Sequence, residues 1–177
     1  MCSTGIVGTS VKGKMKILKI YIKAILLTII CSLLIAATVK AEEKVEVPEE
    51  IREISEELGS QYNICPELIQ AICWRESRFR EDAEGTGCIG IMQVAEKWHK
   101  ERMKRLGVTD LKDARQNMTV AVDYLSELVK DGEDMEEALM RYHGESNIEQ
   151  KLESGEMSDY VEQILEISAM LERQNGK

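Results

Sequence analysis

Beyond Lys44 the apolar residues return every three or four positions, and no stretch alternates convincingly with period two. That spacing builds one-sided helices and leaves no half-buried strand, so the chain is confined to packing helix on helix. Composition agrees: 2 Pro and 1 Phe stand beside abundant Glu, Leu, Lys, Met and Ile, which favours helix over sheet. Ile51, Ile54 and Leu58 mark a first short helix closed by Gly59, and Pro66 opens a second that runs to about Arg80. Gly85, Gly87 and Gly90 make the segment 84–90 a loop. Further helices are expected from about Met92 to Leu106, Gln116 to Val129, Met135 to Tyr142 and Asp159 to Leu171. With 177 residues the chain suits one domain with a real core. The expected fold is all-α: a single globular domain of about six to seven helices.

The net charge of −9 hides an uneven distribution. Residues 1–41 hold six Lys and no Asp or Glu, which leaves the remaining 136 residues with 17 basic against 32 acidic side chains, a net of −15. A domain that acidic has no face for a phosphate backbone, so nucleic acid is excluded as a partner. The leading segment has a basic stretch, an apolar run over 24–39, and then Lys40-Ala41. The run falls short of the roughly 20 residues a membrane span needs. Val39 and Ala41 are small enough to precede a signal-peptidase cut. Two readings stay open: a cleavable signal peptide, with Met15 as an alternative start, or a retained N-terminal anchor with membrane attachment through 24–39. Either exports the remainder, because the lysines hold the N-terminus inside. The layout is then 1–41 leader or anchor, 42–59 acidic linker and first helix, 60–172 the folded domain and 173–177 a tail. Nothing sets an oligomeric state. Cys2 and Cys31 fall in the leader, so Cys65, Cys73 and Cys88 remain where disulfides form. Three thiols allow one bridge and one spare, or three small buried side chains.

The second helix carries an oddity. Ile69, Ile72, Cys73 and Glu76 stand at i, i+3, i+4 and i+7, so Glu76 continues the apolar stripe. A carboxyl on an apolar face is costly to ionise, and one that keeps its proton is a general acid. The alternative is a structural ion pair with Arg75, Arg78 or Arg80.

The setting of Glu76 bears on that choice. The run Ala71-Ile72-Cys73-Trp74-Arg75-Glu76-Ser77-Arg78-Phe79 resembles the Glu-Ser helix of lytic transglycosylases of the goose-lysozyme-like fold. Gly87-Cys88-Ile89-Gly90-Ile91-Met92-Gln93 is similar to that family's Gly-Ala-x-Gly-Leu-Met-Gln loop. Asn117 with Ala121-Val122-Asp123-Tyr124-Leu125 resembles its Asn-Ile-x-x-Gly-x-x-Tyr-Leu helix. Ala138-Leu139-Met140-Arg141-Tyr142-His143-Gly144 lies where the family has Ala-x-x-Tyr-Asn-x-Gly, and Tyr160-Val161 where it has a late Tyr-Val. The five pieces are in register over about residues 60–167.

The resemblance implies a lysozyme-like domain with a glycan-binding groove, acting on peptidoglycan glycan strands. It implies Glu76 as the catalytic acid, with Ser77, Gly90, Ile91, Met92, Gln93, Tyr142 and Tyr160 at the substrate; otherwise Ser77 bonds to Glu76 or to its own helix backbone, Gly87–Gly90 is an ordinary loop and Met92 a core residue. Gly90 would let the backbone approach the glycan, and Gln93 would bond to a sugar amide or hydroxyl. Tyr142 would aim its hydroxyl at Glu76 or at an N-acetyl group, or be a core tyrosine. Asn117 and Tyr124 would be structural. Lytic transglycosylases manage with one carboxylate and produce 1,6-anhydromuramyl ends, whereas ordinary glycosidases use two. Glu81, Asp82 and Glu84 are the nearest carboxylates that would serve an inverting hydrolase; otherwise they are solvated loop charges. The alternatives to a transglycosylase are therefore a hydrolytic goose-type muramidase and a non-catalytic wall-glycan-binding module. No cofactor or metal is expected, since His99 and His143 stand alone in the sequence. Two departures are plain. Tyr142-His143-Gly144 is one residue shorter than Tyr-Asn-x-Gly and has His for Asn, and Ala121 replaces a glycine. Cys88 stands at the family's Ala position and Cys73 one turn before Glu76, close enough for a disulfide between Cys73 and Cys88 to be expected.

Overall fold

Among the described residues, seven helices and one minimal strand pair form. They are α1 (Glu49–Tyr62), α2 (Pro66–Ser77), β1 (Glu84–Gly85), β2 (Cys88–Ile89), α3 (Glu96–Leu106), α4 (Ala114–Lys130), α5 (Met135–His143), α6 (Ile148–Ser154) and α7 (Asp159–Gln174). The computed structural model describes Lys23, Ile25, residues 44–130 and residues 134–177. The chain divides into two compact units, Met1–Lys44 and Val45–Lys177. The leader read over 1–41 lies, apart from Lys23 and Ile25, outside the described residues. Among the described residues no helix is long and apolar enough to cross a membrane.

In the second unit α2 is central, packed on α1 and α7. Eight of its twelve residues are buried, from Glu67 to Cys73 and Ser77. A helix covered on nearly every side is apolar nearly all round, as Leu68-Ile69-Gln70-Ala71-Ile72-Cys73 is. Pro66 starts it with the fixed φ a first helical turn wants. α4 packs on α1, α3 and α5, and α5 packs on α6 and α7. Ile69, Ile72, Met92, Met118, Leu139 and Ile164 meet in the common core. Each such side chain contributes about 1.5–3 kcal/mol by leaving water.

Helix ends depart from the sequence reading for local reasons. α1 runs through Gly59 to Tyr62 and stops at Asn63, whose left-handed backbone returns its N–H to the Gly59 carbonyl. Gly59 is there for closeness: a Cβ on it would stand 2.6 Å from the Ile64 carbonyl. α2 ends at Ser77, three residues before Arg80, because Arg78 and Phe79 are both left-handed, with φ of 56 and 62°. The helix expected from Met92 begins at Glu96, since Gln93 is left-handed and Val94 pairs back with Ile89. α6, with Ile148 as its one buried residue, had too little apolar pattern to be seen.

Before α1, Lys44 and Glu46 are exposed, but Val45 is buried against Met170 and Leu171. Glu67, in the first turn of α2, is 1% exposed and accepts bonds from Lys177 Nζ at 2.7 Å and Asn175 Nδ2 at 2.9 Å. Burial works to raise its carboxyl, yet Lys177, Asn175 and Cys65 together outweigh it and hold the group down at about 2.

Candidate active site

Glu76 closes the last turn of α2, half-buried, where the helix gives way to the left-handed pair Arg78 and Phe79. Its Oε1 accepts a 2.6 Å hydrogen bond from the Tyr160 hydroxyl. Tyr160 reaches it because Ser158 caps α7, accepting from the Val161 N–H, and so fixes where that helix begins. Burial, with the Glu76 charge beside it, pushes the Tyr160 phenol up, so it remains a proton donor at working pH. The three arginines that offered an ion pair are turned elsewhere. Arg75 lies over the Tyr160 ring, Arg78 lies 4.1 Å over the Trp74 ring, and Arg80 donates to the Ser77 carbonyl.

Glu76 opens on a groove of about 750 Å³ also lined by Cys88, Gln93, Trp98, His99, Tyr124, Arg141, Tyr142 and His143. Among the described residues Glu76 is the one carboxylate on its wall. Glu81, Asp82 and Glu84 are exposed, and Glu84 is paired with Lys112 at 2.6 Å. A second cavity of about 540 Å³ adjoins, lined by Arg75, Glu145, Lys151, Glu156, Asp159 and Tyr160 among others, and shares His143 and Gly144 with the first; its Glu145 is held by Lys151 at 2.6 Å.

The floor beneath the groove is a set of backbone ties. The Ser77 hydroxyl is buried and donates to the Ile91 carbonyl at 2.8 Å. Asn117, fully buried, accepts from the Met92 N–H at 2.9 Å and donates to the Ile89 and Leu111 carbonyls, both at 2.8 Å. Gly90, with φ of 82°, is pressed so closely that a Cβ would stand 2.2 Å from both Asn117 Nδ2 and the Leu111 carbonyl. Ile91 and Met92 are 0% exposed. Ser77, Gly90, Ile91 and Met92, expected at the substrate, are all buried here, and the Ser77 side chain is bonded to the Ile91 carbonyl and the Met92 N–H to Asn117. Gln93 does line the groove, yet its amide N–H bonds go to the Ala83 and Gly90 carbonyls, at 3.1 and 2.9 Å. Its free hydrogen-bonding end is the oxygen.

Of the two tyrosines it is Tyr160, and not Tyr142, that reaches Glu76. Tyr142 donates to the Met92 carbonyl at 2.8 Å, while Tyr160 takes Glu76. Burial, then the Glu76 charge, raises the Tyr142 phenol well above its ordinary range. Tyr124 lies on the groove in a row of rings, with its centroid 4.7 Å from His99 and 5.9 Å from Tyr142. His99 is held below its ordinary value by burial and then by Arg102, so it presents a neutral ring. Arg102 lies 5.1 Å over Tyr124 and is bonded to Asp123 and Glu127.

The expected bridge between Cys73 and Cys88 is not formed. Cys65, Cys73 and Cys88 are all free thiols. Cys73 faces the core at 0% exposure, whereas Cys88 lines the groove. Burial raises both thiols, and the Glu76 charge adds to each. Among the described residues no three His, Cys, Asp or Glu side chains gather as metal ligands would.

Trp98, His99, Arg102, Arg141 and His143 on the groove wall had no place among the expected site residues. Two had a visible mark in the sequence: His143 as a departure from the family pattern, and Trp98, 76% exposed on a helix with no buried residue, as an aromatic among charges, Glu96-Lys97-Trp98-His99-Lys100-Glu101. Residues 53–163 match the family model described as the transglycosylase SLT domain. No curated protein matches the chain.

Proposed function

The chain belongs to the transglycosylase SLT domain family, and from that premise we propose that it cuts peptidoglycan glycan strands by lytic transglycosylation. The bond broken is the β-1,4 link from N-acetylmuramic acid to N-acetylglucosamine. Glu76 gives its proton to the glycosidic oxygen as the C1–O4 bond breaks, and the muramic N-acetyl group supports the cationic sugar carbon. The sugar's own C6 hydroxyl then attacks C1 and returns its proton to Glu76, closing a 1,6-anhydro ring with no water consumed. The acid is regenerated in one cycle, so a single carboxylate suffices.

One observation carries this reading over hydrolysis: the groove wall has Glu76 and no second carboxylate among the described residues. A two-carboxylate glycosidase needs an acid and a base or nucleophile facing each other across the bond. Tyr160 supports the same cycle as a neutral donor to Glu76. The substrate lies outside the cytoplasm, which agrees with export by residues 1–41. The acidic domain would be repelled by an anionic wall at long range, so groove contact rather than charge would bring it to substrate.

The test is product analysis. Purified sacculi are digested and the released muropeptides weighed. Anhydro-muramyl ends, lighter by one water than reducing ends, are expected. Reducing ends would establish a hydrolytic muramidase instead, and binding without release would leave a wall-binding module.

A further inference from the structure

His143 ends α5, and Gly144 turns the chain away with φ of 76°. Its imidazole lies flat on the Tyr160 ring, with centroids 3.9 Å apart and planes inclined by only 3°. The Arg75 guanidinium lies over the same ring at 5.5 Å. On its edge the imidazole has Nδ1 3.5 Å from Glu145 Oε1, and the other oxygen of Glu145 is held by Lys151 at 2.6 Å. The imidazole thus has a stacked face and an edge near Glu145, while the ring beneath it, 3% exposed, carries the hydroxyl bonded to Glu76.

A phenol hydroxyl points where its ring plane allows. Rotating the Tyr160 ring about its axis to the protein leaves the oxygen nearly in place, but tilting the ring swings it away. A flat partner at van der Waals distance opposes that tilt. We propose that His143 is a positioning residue, whose stacked imidazole aims the Tyr160 hydroxyl at Glu76 and so sets how well Glu76 serves as acid and base. This rests on the reading of Glu76 as the catalytic acid. It also gives a use to the residue by which Tyr142-His143-Gly144 departs from the family pattern.

The experiment combines turnover with a probe that needs no turnover. His143→Ala is expected to lower kcat ~10-fold with KM within about two-fold, since positioning acts on the transition state. His143→Phe, which keeps a flat ring and carries no charge, is expected to retain at least about half of wild-type kcat. In a Tyr160→Phe background His143→Ala should cost no more than about two-fold further, because the hydroxyl it acts through is gone. The Tyr160 hydroxyl proton, followed by NMR in tyrosine-labelled protein, should be slow to exchange in wild type and His143→Phe and lost to exchange in His143→Ala. A loss confined to KM, an undiminished loss in the Tyr160→Phe background, no rescue by Phe, or a hydroxyl proton unchanged in His143→Ala would each overturn the proposal. Wild-type protein that turns over no peptidoglycan overturns the reading of Glu76, and the hydroxyl proton then still decides whether His143 aims Tyr160.

Discussion

Helix α2 has a carboxylate at each end, and the two are treated in opposite ways. Glu67 at its start is buried and bonded to an ammonium, an amide and a thiol. Glu76 at its finish is half-buried, bonded to a neutral phenol and open to a groove. A carboxylate set against a cation is fixed in its ionised form and holds structure together. One set against a phenol, with an open side, keeps a route by which a proton is given away and recovered. Charge and helix are the same; partner and access make one an anchor and, on the proposed function, the other a reagent.

Substituting each in turn gives the sharpest contrast. Glu76→Gln is expected to cut turnover of sacculi by ~1000-fold or more, with a thermal midpoint close to wild type, since the neutral amide still accepts from Tyr160. Muropeptide release and thermal melting measure the two effects side by side. Comparable turnover in that variant would remove Glu76 from the chemistry and erase the contrast.

Gly90→Ala attacks the floor on which the reactive end rests. The added methyl meets Asn117 and the Leu111 carbonyl at 2.2 Å, in a left-handed conformation besides. A loss of more than ~3 kcal/mol is expected by denaturant melting. Asn117→Ala should cost ~2–4 kcal/mol, because it strands the Met92 N–H and two carbonyls. Near-normal stability in both would mean that the floor is not what holds the loop.

The anchor end is tested by pH. Glu67 has a folded value of about 2 against an ordinary 4.5, so its contribution is complete above about 4.5 and is lost as pH falls toward 2. Thermal melts across that window should steepen downward in wild type and flatten in Glu67→Gln. That variant should also lose roughly 1–3 kcal/mol at neutral pH while each folded molecule keeps its activity. A parallel pH dependence in the two proteins would show that Glu67 is not the titrating anchor.

The legibility of this site followed what periodicity can express. Glu76 was visible because a carboxyl at i+7 breaks an apolar stripe. The order of helices was visible because α1, α2, α4 and α7 each bury a regular face or more. The partner of Glu76 was not, since Tyr142 and Tyr160 are both phenols near helix ends, and only the packing of α7 on α2, and of α5 on α7, decides which reaches the carboxyl. The burial of Ser77, Gly90, Ile91 and Met92 was not legible, because a motif marks that a residue matters without saying which way it faces. The helix ends at Arg78, Phe79 and Gln93 were hidden because those residues carry no sequence preference for the left-handed backbone they adopt.

The opposite wall repeats that lesson at smaller amplitude. α3 has no fully buried residue, and it is Met103 and Leu106, not its first turn, that pack against the core. Yet Trp98 leaves 76% of its surface in water at the groove's lip, with the His99–Tyr124–Tyr142 row leading from it toward Glu76. An indole so exposed contributes little to folding and offers its face to the apolar side of a sugar ring. Trp98→Ala should therefore leave the melting midpoint unchanged and raise KM for glycan strands ~3- to 10-fold with kcat nearly constant, as the removal of uniform binding does. Quenching of Trp98 fluorescence by soluble glycan, compared with the same titration in Trp98→Phe, isolates the contact. A fall in kcat at unchanged KM would move Trp98 from binding to chemistry and would break the division between the reagent end of α2 and the wall that faces it.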